Sequence, residues 1–332
     1  MKNHSTNVIL SVSEESRVLT YIKNKEGYIM NLPKKITICE VGPRDGLQNE
    51  DKILTVEEKI EIIDALTDAG YKVIEVGSFM SPKAVPQMVS TDDVYKGITM
   101  KEGVEYRALV ANLRGVQRAI DCGCKKVKLN VSASKGHNLA NLNMTPEESV
   151  AKFKDCVDLA VANGLEISGS ISMPFGSPWE RYIPIEDVKN IVKAYLNVGI
   201  KEISLSDASG MAVPNQVYEM CTELKNIFPD VKWILHFHNT RGLGNANILA
   251  GMQAGITWFD ASFGGLGGCP FVPGAAGNVI SEDVIHMLQE MGIETDVDLD
   301  KAIAVARRIR EIVSHDLPGY ILKAGKSSEL IK

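Results

Sequence analysis

No apolar run in this 332-residue chain reaches the roughly 18 residues that a membrane-crossing helix needs. The longest candidates, such as Leu159 to Leu165, are broken by Asn163 and Gly164. There is no basic block either: 36 Lys and Arg stand against 42 Asp and Glu, a net charge of −6, which argues against nucleic acid as a partner. The six cysteines, at 39, 122, 124, 156, 221 and 269, lack the spacing of a disulfide framework or a zinc knuckle. Cys122 and Cys124 flank Gly123 and read better as small packed thiols in a reducing cytosol than as a redox pair. No GxGxxG follows the first strand pattern and no GxxxxGK[ST] occurs, which weakens nucleotide-binding readings. What is present, 45% hydrophobic and 23% charged residues, is the composition of a soluble globular enzyme.

The first thirty residues differ from the rest. They are polar and mixed, and Glu14 and Glu15 are residues that a secretory or organellar presequence avoids. Residues 1–31 are therefore expected to be an extension outside the core, and the chain is expected to work in the cytoplasm. Lys25-Glu26-Gly27, just ahead of Met30, is what a purine-rich ribosome-binding sequence would encode, which raises Met30 as an alternative start.

From Lys35 onward, short β-branched runs alternate with longer amphipathic stretches, eight times over. The strand candidates are Ile36–Val41, Val73–Val76, Tyr106–Val110, Lys126–Val131, Glu166–Met173, Glu202–Ser206, Trp233–His238 and Trp258–Ser262. Between them, Val56, Ile60, Ile63 and Leu66 recur at helical spacing and give one apolar face. Thr55 with Glu58, and Thr145 with Glu148, have capping-box spacing. Gly70, Gly123, Gly164, Gly199 and Gly255 fall where helices should stop. Strands that alternate with helices imply a parallel sheet. Eight units closing on themselves predict a single (β/α)₈ TIM barrel over residues 32–332, with an open doubly wound sheet as the second choice. Leu299 to Ile312 predicts a further, C-terminal helix packed across the barrel.

A barrel enzyme works at the C-terminal ends of its strands. Arg44 and Asp45 follow the first predicted strand, Glu75 lies on the second, Asp207 ends the sixth, and His236 and His238 end the seventh. Past the eighth come Gly264 to Gly268, Cys269 and Asn278. Strand residues two apart share a face, separated by about 6.6 Å of rise, so two imidazoles can reach one ion. With the Asp45 carboxylate and the Asn278 amide oxygen, such a donor set suits an octahedral divalent cation such as Mg²⁺ or Mn²⁺. A single core histidine is ordinarily a packing residue, and His137 (in a loop), His286, His315 and His4 are expected to face solvent.

The segments EVGPRDGLQNE (Glu40–Glu50) and GGLGGCPFVPGAAGN (Gly264–Asn278) resemble the 3-hydroxy-3-methylglutaryl-CoA (HMG-CoA) lyase family, over Leu32 to about Asp300. The resemblance implies that Asp45, His236, His238 and Asn278 bind the metal. It further implies that Arg44 polarises the thioester side of an acyl-CoA substrate and that Cys269, on a mobile loop, donates a proton. Glu75 and Asp207 match functional positions, and Gln48 falls close to the site. His236 or Asp45 is expected to act as the base. Lys135 and Arg181 are candidates for the phosphates of coenzyme A, and a homodimer or higher homo-oligomer is expected by analogy. Three departures bear on the acyl group: Asn239 replaces the usual Asp, Arg241 stands where Tyr is common, and Pro174 to Tyr182 (PFGSPWERY) differs from the usual segment. Arg241 is a possible second carboxylate partner. The alternatives are a citramalyl-CoA lyase or another 3-hydroxyacyl-CoA lyase on the same scaffold, then a Claisen-type synthase and a non-catalytic metabolite-binding barrel.

Overall fold

Eight parallel strands pair in sequence order and close on themselves in the computed structural model, which describes residues 30–268 and 274–329. They are β1 (Thr37–Glu40), β2 (Val73–Ser78), β3 (Glu105–Leu109), β4 (Lys126–Ser132), β5 (Glu166–Ser172), β6 (Glu202–Asp207), β7 (Lys232–Phe237) and β8 (Trp258–Ala261). Closure comes from β1 lying against β8, with Thr37 opposite Trp258 and Glu40 opposite Ala261. This is the (β/α)₈ barrel the alternation predicts. Each predicted strand is found, shifted by at most two residues at an end. The compact unit that contains the barrel runs from Pro33 to Lys332. Residues 1–29, with Glu14, Glu15 and the Lys25-Glu26-Gly27 stretch, lie outside the described residues, as does Cys269.

Local chemistry explains the punctuation. Both capping boxes are formed: Thr55 accepts from Glu58 N at the start of helix Val56–Asp68, and Thr145 accepts from Glu148 N at helix Pro146–Ala151. Gly70 takes φ +99 just past the first of these helices, and an added Cβ would sit 2.3 Å from the Asp296 carbonyl oxygen, so only glycine fits that helix stop. The core is built from the apolar faces of strands and helices, with Ile38, Ile74, Val127, Ile203, Leu235 and Phe259 at most 1% exposed. The predicted C-terminal helix is present as Leu299–Val313 and buries Leu299, Ile303, Ala306, Ile309 and Val313. Among the described residues no helix is long and apolar enough to cross a membrane. Cys39, Cys122, Cys124, Cys156 and Cys221 are all free thiols.

Candidate active site

The C-terminal mouth opens into a cavity of about 300 Å³ whose walls include Arg44, Asp45, Gln48, His236 and His238. Arg44 and Asp45 reach it from one wide helical turn, Gly42–Gly46, in which Asp45 N and Gly46 N both point at the Val41 carbonyl. That turn must pack tightly. A Cβ on Gly42 would lie 2.6 Å from the Phe263 ring, so the residue has to be glycine for the turn to approach the loop after β8. Glu40 ties the two together from below: its carboxylate accepts from Gly42 N at 2.7 Å, Phe263 N at 3.0 Å and Ser281 Oγ at 2.6 Å. Burial pushes its pKa up to about 7.

His236 stands on β7, and His238 follows one residue beyond the strand's end, held by a hydrogen bond from its N to the Asp207 carbonyl at 3.2 Å. Asn278 is brought opposite His238 by an isolated antiparallel bridge. The result is a cluster in which candidate ligand atoms of Asp45, His236 and His238 all lie within 4.8 Å of one another. Each imidazole Nε2 is 3.8 Å from Asp45 Oδ2, too far for a hydrogen bond. Asn278 Nδ2 donates to Asp45 Oδ2 at 2.8 Å and to Leu266 O at 3.0 Å, while its Oδ1 is buried without a partner. A buried amide oxygen left unpaired beside a carboxylate and two imidazoles is the arrangement a cation would complete, so these four residues fit a divalent ion.

Electrostatics favours the same reading. Asp45 is buried, yet Arg44, His236, His238 and Asn278 outweigh the cost of desolvation and hold its carboxyl well below the usual range. Burial drives the His238 pKa down to about 4, with His236 adding to the effect. The ring is therefore neutral near pH 7 and has a lone pair to give.

The other predicted residues separate into two groups. Glu75 sits beneath Arg44: it accepts from Arg44 Nε and, at 2.7 Å, from Lys128 Nζ, so it orients the guanidinium and does not itself face the cavity. Arg44 Nη1 donates to Asp45 Oδ1, which also accepts from Gln48 Nε2 at 3.1 Å. The Asp207 carboxylate is consumed by the loop that follows it, accepting from Ser209 Oγ, Met211 N and Ala212 N at 2.9–3.0 Å. Lys135, Arg181 and Arg241 are absent from the cavity wall. Lys135 pairs with Asp187 at 3.1 Å, Arg181 lies 4.4 Å over the Tyr182 ring, and Arg241 donates to the Ser209 and Gly210 carbonyls at 3.0 and 3.1 Å.

One expectation is overturned. His137 is not a solvent-facing loop residue; it lies in helix Lys135–Leu142, is buried, and lines the cavity. The cause is non-local. Glu180 accepts from Ser134 Oγ and, at 3.1 Å, from Gly136 N, clasping the segment after β5 against the one after β4. That clasp brings Trp179 to 5.3 Å from the His137 ring.

Two charged residues of the site were not singled out in the sequence. Asp260 on β8 meets His236 Nδ1 at 3.2 Å, the carboxylate–imidazole contact that fixes a ligating histidine's tautomer. Lys128 on β4 bridges Glu75 and Asp260, at 2.7 and 3.5 Å. A signal existed, since a lysine or aspartate inside an otherwise apolar barrel strand must find a buried counter-charge.

Comparison with known proteins agrees with this geometry. The chain is 43% identical over 299 residues to the hydroxymethylglutaryl-CoA lyase YngG of Bacillus subtilis, covering 90% of this chain and 100% of that one. It is 39% identical over 300 residues to the (R)-citramalyl-CoA lyase of Chloroflexus aurantiacus, covering 87% and 95%. Among solved structures, an HMG-CoA lyase from Acinetobacter baumannii in complex with coenzyme A and 3-methylmalate superposes with a TM-score of 0.86 at 40% identity, covering 90% of this chain and 98% of that one. Residues 35–309 match the HMGL-like family. With the barrel, the mouth and these relatives in agreement, the chain belongs to the HMGL-like family.

Proposed function

We propose that this protein is a divalent-cation-dependent carbon–carbon lyase that cleaves HMG-CoA to acetyl-CoA and acetoacetate. The observation that carries the reading is the Asp45–His236–His238 cluster, with the unpaired Asn278 Oδ1, set beside the Arg44 guanidinium in the barrel mouth. Its support is the likeness, over 90% of this chain, to the hydroxymethylglutaryl-CoA lyase of B. subtilis and to the A. baumannii enzyme in complex with coenzyme A.

A divalent cation held by Asp45, His236, His238 and Asn278 supplies Lewis acidity toward the substrate's oxygen atoms. The reaction moves the 3-hydroxyl proton to a base and breaks the C2–C3 bond. The electron pair of that bond goes to C2 as the thioester enolate, leaving C3 as the ketone carbon of acetoacetate. Asp45 and His236 are the two proton acceptors in reach: the Asp45 carboxyl is held low, and His236, with Nδ1 on Asp260 at 3.2 Å, accepts a proton only when its Nε2 is free of the cation. Arg44, fixed between Glu75 and Asp45, presents the guanidinium that meets the enolate oxygen. Cys269 is assigned to protonate C2, releasing acetyl-CoA.

Arg241 and the Pro174–Tyr182 segment bear on which acyl group fits, and citramalyl-CoA is the second reading, favoured by the relative from C. aurantiacus. We extend the proposal to a cytoplasmic protein, consistent with five free thiols in the described residues, and, by analogy with such barrels alone, to a homo-oligomer. Incubating purified protein with Mg²⁺ or Mn²⁺ and each thioester separates the readings. Acetoacetate marks the first and pyruvate the second, whereas no cleavage of either refutes both.

A further inference from the structure

Among the described residues one lysine lines the cavity, Lys128 of β4. On that strand Lys126, Lys128 and Asn130 alternate with Val127, Leu129 and Val131, so their side chains share the face that looks into the lumen. Lys128 is 3% exposed, and an ammonium is rarely buried so deeply unless it is paired. Its two partners stand on other walls, Glu75 on β2 and Asp260 on β8. With the strands paired in sequence order, β8 is four strands from β4 and so lies directly across the lumen, and β2 is two strands away. Lys128 Nζ donates to Glu75 Oε2 at 2.7 Å and lies 3.5 Å from Asp260 Oδ2.

Each partner touches a residue of the site. The other oxygen of Glu75, Oε1, accepts from Arg44 Nε. Asp260 Oδ2, the oxygen that meets Lys128, also meets His236 Nδ1 at 3.2 Å. Arg44 and Asp45 are themselves joined through Nη1 and Oδ1. The side chains therefore run in an arc, Asp45–Arg44–Glu75–Lys128–Asp260–His236, and both of its ends belong to the candidate metal cluster. Lys128 joins the two halves. Arg107 approaches the same two carboxylates from the floor, yet its Nε is 3.9 Å from Glu75 Oε2 and makes no hydrogen bond, so it does not replace Lys128 there.

Charge gives Lys128 a second effect. On the mouth side, the carboxylates of Asp45, Glu75 and Asp260 face two cations, Arg44 and Lys128. A neutral side chain in the same space would leave those carboxylates with Arg44 alone. In a buried site, that change of net charge draws a divalent cation in more strongly. Lys128 thus orients the reacting groups while weakening the grip on the cation. A residue that only held the barrel together would, when removed, weaken turnover and metal binding together or leave both alone.

We propose that Lys128 is a positioning residue: through Glu75 it fixes the Arg44 guanidinium, through Asp260 it fixes the His236 ring, and its charge keeps cation affinity below what the cluster would otherwise have. The proposal rests on the lyase reading for the reaction, and on the side-chain geometry for the residue.

The test is Lys128→Met, which removes the charge and keeps an unbranched side chain. It is compared with wild type by HMG-CoA turnover at saturating Mn²⁺, and by titration calorimetry of chelator-stripped protein with Mn²⁺. In the variant kcat is expected to fall about tenfold with KM within about twofold, because groups set for the reaction are loosened. Mn²⁺ affinity is expected to rise about fivefold. An unchanged or weaker Mn²⁺ affinity, or a kcat within about twofold of wild type, overturns the assignment. Lys128→Gln carries the same comparison should Lys128→Met fail to fold. Acetoacetate release by the wild type separately tests the lyase reading. Should the wild type not cleave HMG-CoA, that reading fails, and the Mn²⁺ affinities decide the assignment by the same criterion.

Discussion

The two ends of this barrel use buried charge in opposite ways. At the floor, Arg107 pairs with Glu202 at 3.4 Å and Asp260 at 3.2 Å, Lys126 with Glu202 at 2.6 Å and Glu105 at 3.0 Å, and Lys232 with Glu202 at 2.9 Å. Opposite charges there meet at short range, and only Arg107 Nε and Glu105 Oε1 among these groups are buried without a hydrogen-bond partner. In the mouth, acceptors and donors are assembled but left incomplete: Asn278 Oδ1 and Ser204 Oγ are buried without partners, and the imidazole Nε2 atoms stand 3.8 Å from Asp45 Oδ2. A closed network is what stability asks for, whereas an open one carries a desolvation cost that only a ligand offsets. Asp260 links the two, since one oxygen meets Arg107 and the other meets His236.

That contrast can be broken experimentally, and the largest effect is expected in the mouth. Asp45→Asn removes the charge that holds the cluster together; kcat for cleavage should fall by about 1,000-fold or more, with Mn²⁺ affinity lost in parallel by titration calorimetry. A variant with near-normal turnover would show that the cluster is only structural.

Glu40, which staples the Arg44 turn to the loop after β8, gives a pH signature. Its folded pKa of about 7 lies above the ordinary 4.5, so the folded state binds the proton more readily than the unfolded one. The resulting contribution is fully present below pH 4.5 and is lost as pH rises through 7. Denaturant unfolding of Glu40→Gln should therefore gain on wild type by up to about 3 kcal/mol between pH 4.5 and 7.5. A pH-independent difference would mean that Glu40 is ionised throughout.

At the floor the pattern should reverse. Lys126→Met leaves Glu105 and Glu202 with less positive charge, and should cost about 2 kcal/mol in unfolding free energy while kcat stays within about twofold. A large fall in kcat at unchanged stability would erase the distinction between the two ends. The smallest effect is expected at the link. Asp260→Asn should lower Mn²⁺ affinity or kcat by about tenfold, through a less well-oriented His236; unchanged values of both would sever the connection.

How much of this was legible beforehand depended on range. Strand order, the two capping boxes and the Asp45, His236, His238 and Asn278 set are encoded by short spacings and by where strands end, which local pattern reveals. His137 was misplaced because its burial is decided by Glu180, some forty residues further along, clasping Ser134 and Gly136. Lys128 and Asp260 were missed because a charged residue in a barrel strand declares its role only once the register shows what stands opposite. Lys135 and Arg181, candidates on condition that their loops reach the mouth, and Arg241, singled out by resemblance, lie off the cavity wall and meet Asp187, the Tyr182 ring and the Ser209–Gly210 carbonyls.

The central claim is that Asp45, His236, His238 and Asn278 grip one divalent cation. Anomalous diffraction from crystals soaked in Mn²⁺ tests it most directly. The account predicts a single strong peak within about 2.3 Å of an Asp45 oxygen, both imidazoles and Asn278 Oδ1; crystals with no manganese there, or with manganese bound elsewhere in the mouth, would contradict it.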